Sequence, residues 1–280
     1  MNVYSYFRLI RPVNAVMIGF AVLVGEAVAS STLKLNLTTL FGFLTGFCIT
    51  AYSMVINDIF DREVDRANNR SDRPIASRLI AVRNAWMYSM ILLLMGLTFS
   101  LLTGLATFII ALAFAGVSIL YNYRLKETGL LGNVSVALSM TIPFIYGGIL
   151  VGRGLNMLLD MMALTAFLAG VGREVIKGIT DVEGDALRNV RSIARVKGVK
   201  IASVVGGALF LLAVVTSQIP TLMGRVNSPY LIVIGITDMV FIFLAAYIIS
   251  DSGKAKRVKN LALLGMLLGL IGFILQGVLP

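Results

Sequence analysis

The sequence predicts an all-α, polytopic membrane protein of about nine transmembrane helices, and three observations lead to this class. Of its 280 residues, 58% are hydrophobic and only 14% are charged, with a mean hydropathy of +0.90. A water-soluble domain of this size needs more charge to cover its surface. Apolar stretches of about 20 residues, the length that crosses the hydrocarbon of a bilayer, recur along the chain. Basic residues, finally, collect on one side of the topology that these stretches imply.

The predicted spans follow one another with short connections. They cover residues 13–32, 37–59, 84–103, 105–123, 129–151, 156–179, 201–222, 229–250 and 259–279. If they alternate in direction, only Lys34, Arg153 and Arg225 of the 24 Lys and Arg residues fall on the side opposite the amino terminus. Because positive charge marks cytoplasmic loops, we predict a multi-pass protein of the cell membrane whose charged helix ends face the cytoplasm.

Residues 1–280 are predicted to form one domain. Two long hydrophilic connections, residues 60–83 and 181–200, lie about four helices apart on the same predicted side. This spacing suggests a duplicated four-helix unit. The predicted halves are roughly 1–125 and 126–250, followed by a final helix at 259–279.

The amino-acid composition limits the metals, disulfides and partners that this chain can have. The chain has no histidine and one cysteine, Cys48, so it can form no internal disulfide and lacks the usual zinc and haem ligands. A bound metal must therefore be held by oxygen, which favours magnesium, calcium or manganese. The net charge of +10 comes from residues at the ends of apolar segments. That pattern fits topology signals and anionic phosphate ligands, and we expect no nucleic acid partner.

The first acidic motif ends the second predicted span. Asn57, Asp61 and Asp65 are spaced i, i+4 and i+8, with Asp58 beside them, so a helix would place them on one face. Like charges on one face repel each other unless a cation lies between them. The motif therefore predicts a divalent metal site, and the alternative is a solvated helix end whose acids pair with nearby arginines.

The second acidic motif follows the sixth predicted span. Arg173, Lys177, Asp181 and Asp185 lie four residues apart, so one helical stripe would present two cations and then two carboxylates. Such a stripe suits a magnesium diphosphate, since carboxylates hold the metal and cations bind the remaining phosphate oxygens. Two facing acidic motifs on one side of a bundle could hold one diphosphate through shared metal ions.

Further polar residues extend both motifs. Four arginines of the first cytoplasmic connection are predicted substrate ligands because guanidinium binds phosphate bidentately; they are Arg62, Arg66, Arg70 and Arg73. Lys126 could neutralise a leaving diphosphate, and the rings of Tyr121 and Tyr123 could face a developing carbocation. Asn14 is polar enough to line a cavity. The alternatives are a positive-inside loop and an aromatic belt with a snorkelling lysine.

Taken together, these residues resemble the UbiA-type intramembrane prenyltransferases. The Asn-Asp-x-x-Asp-x-x-x-Asp motif of that superfamily is similar to residues 57–65, and its second aspartate motif to Asp181 and Asp185. A tyrosine-containing signature that ends in lysine resembles residues 121–126, with a spacing that differs by one residue from the form in some members. Longer stretches, residues 61–75, 125–133 and 173–185, look like the archaeal digeranylgeranylglyceryl phosphate synthases.

The resemblance implies nine helices around a central cavity under a cytoplasmic cap, with magnesium as cofactor. It implies geranylgeranyl diphosphate as donor and geranylgeranylglyceryl phosphate, a lipid-like acceptor, as the second partner. Two alternatives stay open. One is a prenyltransferase with an aromatic or chlorin acceptor, as in quinone or chlorophyll synthesis. The other is a secondary transporter, in which acids of a helical bundle bind ions.

Overall fold

The computed structural model describes residues 3–67, 70–154, 156–187 and 190–279, and within these ranges the regular structure is entirely helical. Two short 3-10 helices, Leu125–Thr128 and Ser252–Lys254, join longer elements. The α-helices in chain order are α1 Val3–Leu9, α2 Pro12–Ser30, α3 Leu37–Ala67, α4 Val82–Thr103, α5 Leu105–Tyr123, α6 Leu130–Leu150, α7 Met157–Thr180, α8 Val182–Leu187, α9 Ile193–Lys197, α10 Val199–Leu222, α11 Ser228–Ser250 and α12 Ala255–Val278.

Eight helices of the described chain are long and apolar enough to cross a membrane, and they coincide with eight of the nine predicted spans. The remaining prediction, residues 156–179, corresponds to α7. This segment is helical for 24 residues, but every stretch of 18 residues in it carries at least three charged side chains. The all-α membrane class is confirmed. The count of nine spans is not confirmed, because α7 is long enough to span the membrane but carries too many charged residues.

The first acidic motif lies inside a helix rather than after one. The second span was predicted to end at residue 59, but α3 continues to Ala67 over 31 residues. Its last turns carry Asn57, Asp61 and Asp65 at the i, i+4 and i+8 positions of a regular helix. The predicted helical ladder is therefore present, and it is rigidly attached to a membrane-spanning segment.

The chain divides into two compact units, each described here by itself. Unit 1 comprises residues 1–23 and 34–125, and unit 2 comprises residues 24–33 and 126–280. In unit 1, buried residues of α3 such as Tyr52 and Ile56 pack with Leu9 of α1 and with Ile75 and Ile80 of the connection after α3. This apolar cluster fixes the polar end of α3 against the neighbouring loop. A repeat relationship between the chain halves stays a prediction.

Unit 2 is organised around close packing of α7 against α10. A Cβ on Gly206 would meet the side chain of Ile176, and one on Gly172 would lie 2.9 Å from the ring of Phe210 and 3.1 Å from the carbonyl of Gly206. Only glycine permits the two backbones to approach this closely. Ile176 and Phe210 belong to a buried cluster that continues into α11 and α12. This packing holds the charged carboxyl-terminal half of α7 in place.

Candidate active site

In unit 1, Asp58 is the centre of an ion cluster. Its side chain is only 3% exposed, and its Oδ1 accepts hydrogen bonds from Nη2 of Arg11 at 2.5 Å and from Nη1 of Arg73 at 2.6 Å. A buried carboxylate requires such partners, because an uncompensated charge away from water is strongly unfavourable. One negative charge thus holds two positive charges at the end of α3.

Arg11 reaches Asp58 from an unusual backbone conformation. Its backbone φ is +47°, a value that residues other than glycine rarely adopt, and Pro12 follows directly. The residue before a proline is further restricted towards extended conformations. The main chain thus turns sharply between α1 and α2, which sends the Arg11 guanidinium towards α3. Backbone strain of this kind, about 1–3 kcal/mol, persists only where surrounding contacts stabilise it.

Arg73 reaches Asp58 from the connection after α3. Ile75 lies in the apolar cluster and is fully buried, so the segment that carries Arg73 is anchored two residues away. Arg66 adds to this anchoring, as its guanidinium donates to the carbonyl oxygens of Ala76 and Ile75 at 3.2 and 3.5 Å. This predicted substrate-binding arginine therefore lies on an anchored loop that faces the acidic motif.

The other members of the first motif have different environments. Asn57 donates from Nδ2 to Oδ1 of Asn122 at 2.8 Å, and Asn122 donates in turn to the carbonyl of Ser118. Asp65 is buried, with its Oδ2 4.0 Å from Nε of Arg73. Asp61 is half-buried on the same helix face. The motif thus offers an amide oxygen and two carboxylates in helical register.

The remaining predicted residues of unit 1 lie on α2, α3 and α5. Asn14 is half-buried in the first turn of α2, and Tyr121 is half-buried at the end of α5. Tyr123 is 71% exposed. Arg62 donates to the carbonyl of Ile59 and to Glu63.

The Arg70 side chain pairs with Asp72, and its backbone N–H donates to the carbonyl of Asp65 at 2.9 Å. The guanidinium forms a bidentate pair with the Asp72 carboxylate at 2.9 and 3.0 Å, and both side chains are exposed. The hydrogen bond from Arg70 lowers the pKa of Asp72 below its usual value. Of the four predicted phosphate-binding arginines, Arg73 pairs with two carboxylates of the first motif, Asp58 and Asp65.

In unit 2, Glu174 is a buried carboxylate that pairs with two cations, as Asp58 does in unit 1. Its side chain is 5% exposed, and it accepts from Nη1 of Arg173 at 2.8 Å and from Nζ of Lys177 at 3.0 Å. These partners lie one and three residues away on α7. The predicted cations of the second motif are thus brought together by a glutamate that was not assigned a role.

The carboxylates of the second motif depart from the predicted single stripe. Helix α7 ends at Thr180, Asp181 has non-helical backbone angles, and α8 begins at Val182. Asp185 still donates from its backbone N–H to the carbonyl of Asp181 at 2.7 Å, so the chain resumes a helical course after one irregular residue. The prediction of one continuous helical stripe from Arg173 to Asp185 was therefore wrong at Asp181, where the chain bends.

Lys259 of α12 is a further cation at this bend. Its Nζ donates to Oγ1 of Thr180 at 2.8 Å and lies 4.0 Å from Oδ1 of Asp181. Its backbone carbonyl accepts from Nε of Arg173 at 3.2 Å. Sequence reasoning missed Lys259, since it lies 79 residues from Thr180. The one available signal was a lysine near the start of a membrane-spanning helix.

Lys126 lies in the short 3-10 helix Leu125–Thr128, half-buried. The next residue, Glu127, accepts at its carbonyl from the N–H of Arg191 at 3.0 Å. Gly129 has a φ of +69°, and a side chain there would collide with the carbonyl of Arg191. The glycine therefore allows this connection to lie directly against residues 190–192.

The donor chemistry of both motifs fits magnesium. Each consists of carboxylate or amide oxygens, and the cysteine of the chain, Cys48, is buried within α3. Among the described residues, no three His, Cys, Asp or Glu side chains are grouped closely enough to enclose a metal ion by themselves. Magnesium usually takes only one or two protein carboxylates together with water and substrate phosphates. Oxygen ligands beside cations are the arrangement that such a complex needs.

Comparison with known proteins identifies the family of the chain. The sequence profile of the UbiA prenyltransferase family matches residues 18–274. The chain belongs to the UbiA prenyltransferase family. It is therefore a prenyltransferase of a membrane-embedded fold.

Individual relatives narrow the likeness within the UbiA family. The digeranylgeranylglyceryl phosphate synthase of Archaeoglobus fulgidus is 36% identical over 274 residues, which cover 96% of this chain and 94% of that protein. A solved structure of digeranylgeranylglyceryl phosphate synthase superposes with a TM-score of 0.80 at 31% identity, covering 99% of this chain and 98% of the other. A UbiA homologue from A. fulgidus bound to GPP and Mg2+ shares the fold, with a TM-score of 0.69 at 20% identity over 96% and 99% of the two chains.

Proposed function

We propose that this protein transfers a geranylgeranyl group from geranylgeranyl diphosphate to the free hydroxyl of geranylgeranylglyceryl phosphate, forming digeranylgeranylglyceryl phosphate. The observation that carries the proposal is the 36% identity to the A. fulgidus synthase over 96% of the chain. The polar clusters of α3 and α7, on helices long enough to reach the membrane surface, support it. The enzyme would act at the cytoplasmic face of the cell membrane.

In this reaction, the bond between the allylic carbon and the diphosphate oxygen breaks, and the diphosphate leaves with the electron pair. The glycerol hydroxyl oxygen forms the new ether bond to that carbon, and its proton passes to a basic group of the site. An aliphatic alcohol is a weak nucleophile, so a carboxylate near the acceptor is the chemically suitable base. The reaction thus requires charge stabilisation on the leaving side and proton removal on the acceptor side.

Oxygen ligands of both motifs are proposed to hold magnesium against the donor; they are Asn57, Asp61, Asp65, Asp181 and Asp185. Bound magnesium would neutralise charge that develops on the leaving diphosphate. Arg173, Lys177 and Lys126 would bind phosphate oxygens and offset the same charge. Tyr121 and Tyr123 would face the allylic cation, and Asn14 and the arginines after α3 would contact substrate.

A prenyltransferase with an aromatic acceptor is the second candidate within the family. Family membership already identifies the activity as prenyl transfer, which argues against the transporter alternative. The acceptor alone separates the two remaining candidates. A glycerol phosphate acceptor brings its own anion, and the many arginines after α3 favour it.

The deciding experiment offers the purified, detergent-solubilised enzyme geranylgeranyl diphosphate and a panel of acceptors, with product ethers identified by mass spectrometry. We expect transfer to geranylgeranylglyceryl phosphate and none to 4-hydroxybenzoate, homogentisate or a chlorophyllide. Prenylation of an aromatic or chlorin acceptor, with no glyceryl ether, would assign the protein to the second candidate.

Chelation tests the metal. EDTA should abolish transfer, and magnesium added in excess should restore it, because neutralising the leaving diphosphate is worth several kcal/mol. Calcium serves as the matched control, since its looser coordination is a poor substitute for octahedral magnesium. Full turnover in EDTA would remove magnesium from the proposal.

A further inference from the structure

The geometry points to Asp58 as a positioning residue: it orients Arg11 and Arg73 as a paired phosphate-binding site and does not itself ligate the metal. The inference deepens the proposed function, since it assigns an anion site to unit 1 and gives Asp58 a role distinct from that of its neighbours Asn57, Asp61 and Asp65.

The first argument is that the Asp58 carboxylate is already hydrogen-bonded to two arginines. Its Oδ1 already accepts two guanidinium hydrogen bonds, at 2.5 and 2.6 Å, and the side chain is 3% exposed. A metal ion at the same oxygen would lie beside two positive charges within hydrogen-bond distance. Asp61 is half-buried one turn further along the same helix, and the proposed metal site keeps it as a ligand.

The charge of the cluster is the second argument. Arg11 and Arg73 share one oxygen of Asp58, so these three side chains by themselves carry one excess positive charge, and Asp65 and Asp72 face Arg73 on its Nε side. Each guanidinium has five N–H donors. Arg11 uses Nη2 alone within the described structure, and Arg73 uses Nη1 for Asp58 while its Nε is buried without a hydrogen bond, 3.8 Å from Asp72 and 4.0 Å from Asp65. Unused donors at two adjacent arginines suit a phosphate group, which accepts bidentate bonds from both.

The construction of the site is the third argument. Arg11 is held at a φ of +47° before Pro12, and Arg73 lies two residues from the fully buried Ile75. Both guanidinium groups are thus presented by a restrained backbone rather than by flexible surface loops. Such preorganisation favours a binding role, because little side-chain entropy is lost when the ligand arrives. Asp58 completes the restraint by fixing both side chains from one point.

The phosphate ligand has two possible sources in the proposed reaction, the donor diphosphate and the acceptor phosphomonoester. Both present tetrahedral phosphate oxygens to the same donors. Inorganic diphosphate and glycerol 1-phosphate are the probes that distinguish them, because neither carries a prenyl tail that would bind elsewhere.

The test compares wild type with Asp58→Asn, which removes the charge but keeps the shape. Titration calorimetry in EDTA would measure binding of each probe to the purified full-length protein, and steady-state kinetics would measure the KM for each substrate and the magnesium concentration for half-maximal activity. We expect at least one probe to bind wild type without metal and to lose about tenfold in affinity in Asp58→Asn, the KM of the corresponding substrate rising by a similar factor. The half-maximal magnesium concentration should stay within about twofold.

The matched control is Glu63→Gln, which removes one carboxylate from the same helix at an exposed position paired with Arg62; it should leave both probes unaffected. Arg73→Lys provides a second variant that retains charge and should fold, and we expect it to weaken the same probe about fivefold. Unchanged probe binding in both variants would overturn the inference, as would a tenfold rise in the magnesium requirement of Asp58→Asn. If wild type binds the probes as expected but transfers no prenyl group to the glyceryl acceptor, the proposed function fails while the anion site stands.

Discussion

Two buried carboxylates in this protein pair with two cations each, but the cations come from different parts of the chain. Glu174 takes Arg173 and Lys177 from its own helix, one and three residues away. Asp58 takes Arg11 from 47 residues before it and Arg73 from 15 residues after it. All three charged groups of the first cluster therefore belong to one helix, whereas the second cluster exists only when the amino-terminal turn, α3 and the following connection are assembled.

This difference separates ion pairs that form within one helix from ion pairs that require distant segments of the chain to pack together. An i, i+3 pair forms whenever its helix forms. A carboxylate that bridges distant segments also restrains those segments, so its removal has structural as well as chemical consequences. The predictions below use this contrast to separate metal binding, structural restraint and surface pairing.

Removal of the proposed metal ligands should have the largest effect. Asp61→Ala in unit 1 and Asp181→Ala in unit 2 should each lower kcat by about 10³-fold, because several kcal/mol of charge stabilisation are lost and each 1.4 kcal/mol is tenfold. Single-turnover assays with geranylgeranyl diphosphate would measure this, with thermal unfolding as a check on the fold. Near-normal turnover in one variant would restrict the metal site to the other motif.

Loss of the buried carboxylates should have the next effect, on stability. Breaking a buried ion pair by removing one partner costs about 3–5 kcal/mol. We expect Asp58→Asn to approach about 3 kcal/mol and Glu174→Gln to lose roughly half of that, because Arg173 keeps its hydrogen bond to the carbonyl of Lys259. Thermal unfolding in detergent would compare the two. Equal losses, or a larger loss for Glu174→Gln, would contradict the distinction between local and tertiary clusters.

These two clusters also mark how far sequence reasoning extends. The ladder of Asn57, Asp61 and Asp65 followed from helical periodicity, and α3 carries it in register. Apolar length predicted eight of the spans. The contacts of Arg11 with Asp58, of Asn57 with Asn122 and of Lys259 with Thr180 join residues 47, 65 and 79 positions apart. Such pairs depend on helix packing, which no periodicity encodes.

The limits of local reasoning also appear within α7. Every stretch of 18 residues in this helix holds at least three charged side chains, and this charge distinguishes α7 from the eight apolar spans. The bend at Asp181 escaped prediction as well, because fourfold spacing assumes that a helix continues. Thr180 and Lys259 stabilise this bend through side-chain contacts between distant elements.

Lys259→Ala should have a moderate effect on activity. Its Nζ bonds Thr180 and lies 4.0 Å from Asp181, so its loss would leave that end of α7 less restrained. We expect a three- to tenfold decrease in kcat/KM, partly recovered in Lys259→Arg. The matched control is Lys256→Ala, one turn earlier and exposed, which should be neutral. An effect of equal size at Lys256 would indicate general surface charge instead.

Asp72→Asn should have the smallest effect. Hydrogen bonding from Arg70 lowers the pKa of Asp72, so the ionised pair stabilises the fold above the unfolded pKa, and this contribution is lost as pH falls through the folded value. Because both groups are exposed, the contribution is below about 1 kcal/mol. Unfolding of wild type and Asp72→Asn should differ slightly at pH 7 and converge below about pH 4. A gap that widens in acid would contradict this assignment.

The 31 residues of α3 have a consequence for how the enzyme meets its substrates. A helix of that size is about 46 Å long, roughly 16 Å more than the hydrocarbon thickness of a bilayer. If the apolar part of α3 fills the hydrocarbon, the surplus reaches headgroup depth and carries the acidic ladder there. A prenyl diphosphate can then be processed without extraction from the leaflet in which it dissolves. Turnover would accordingly follow the two-dimensional density of donor and acceptor in the membrane, rather than their bulk concentration.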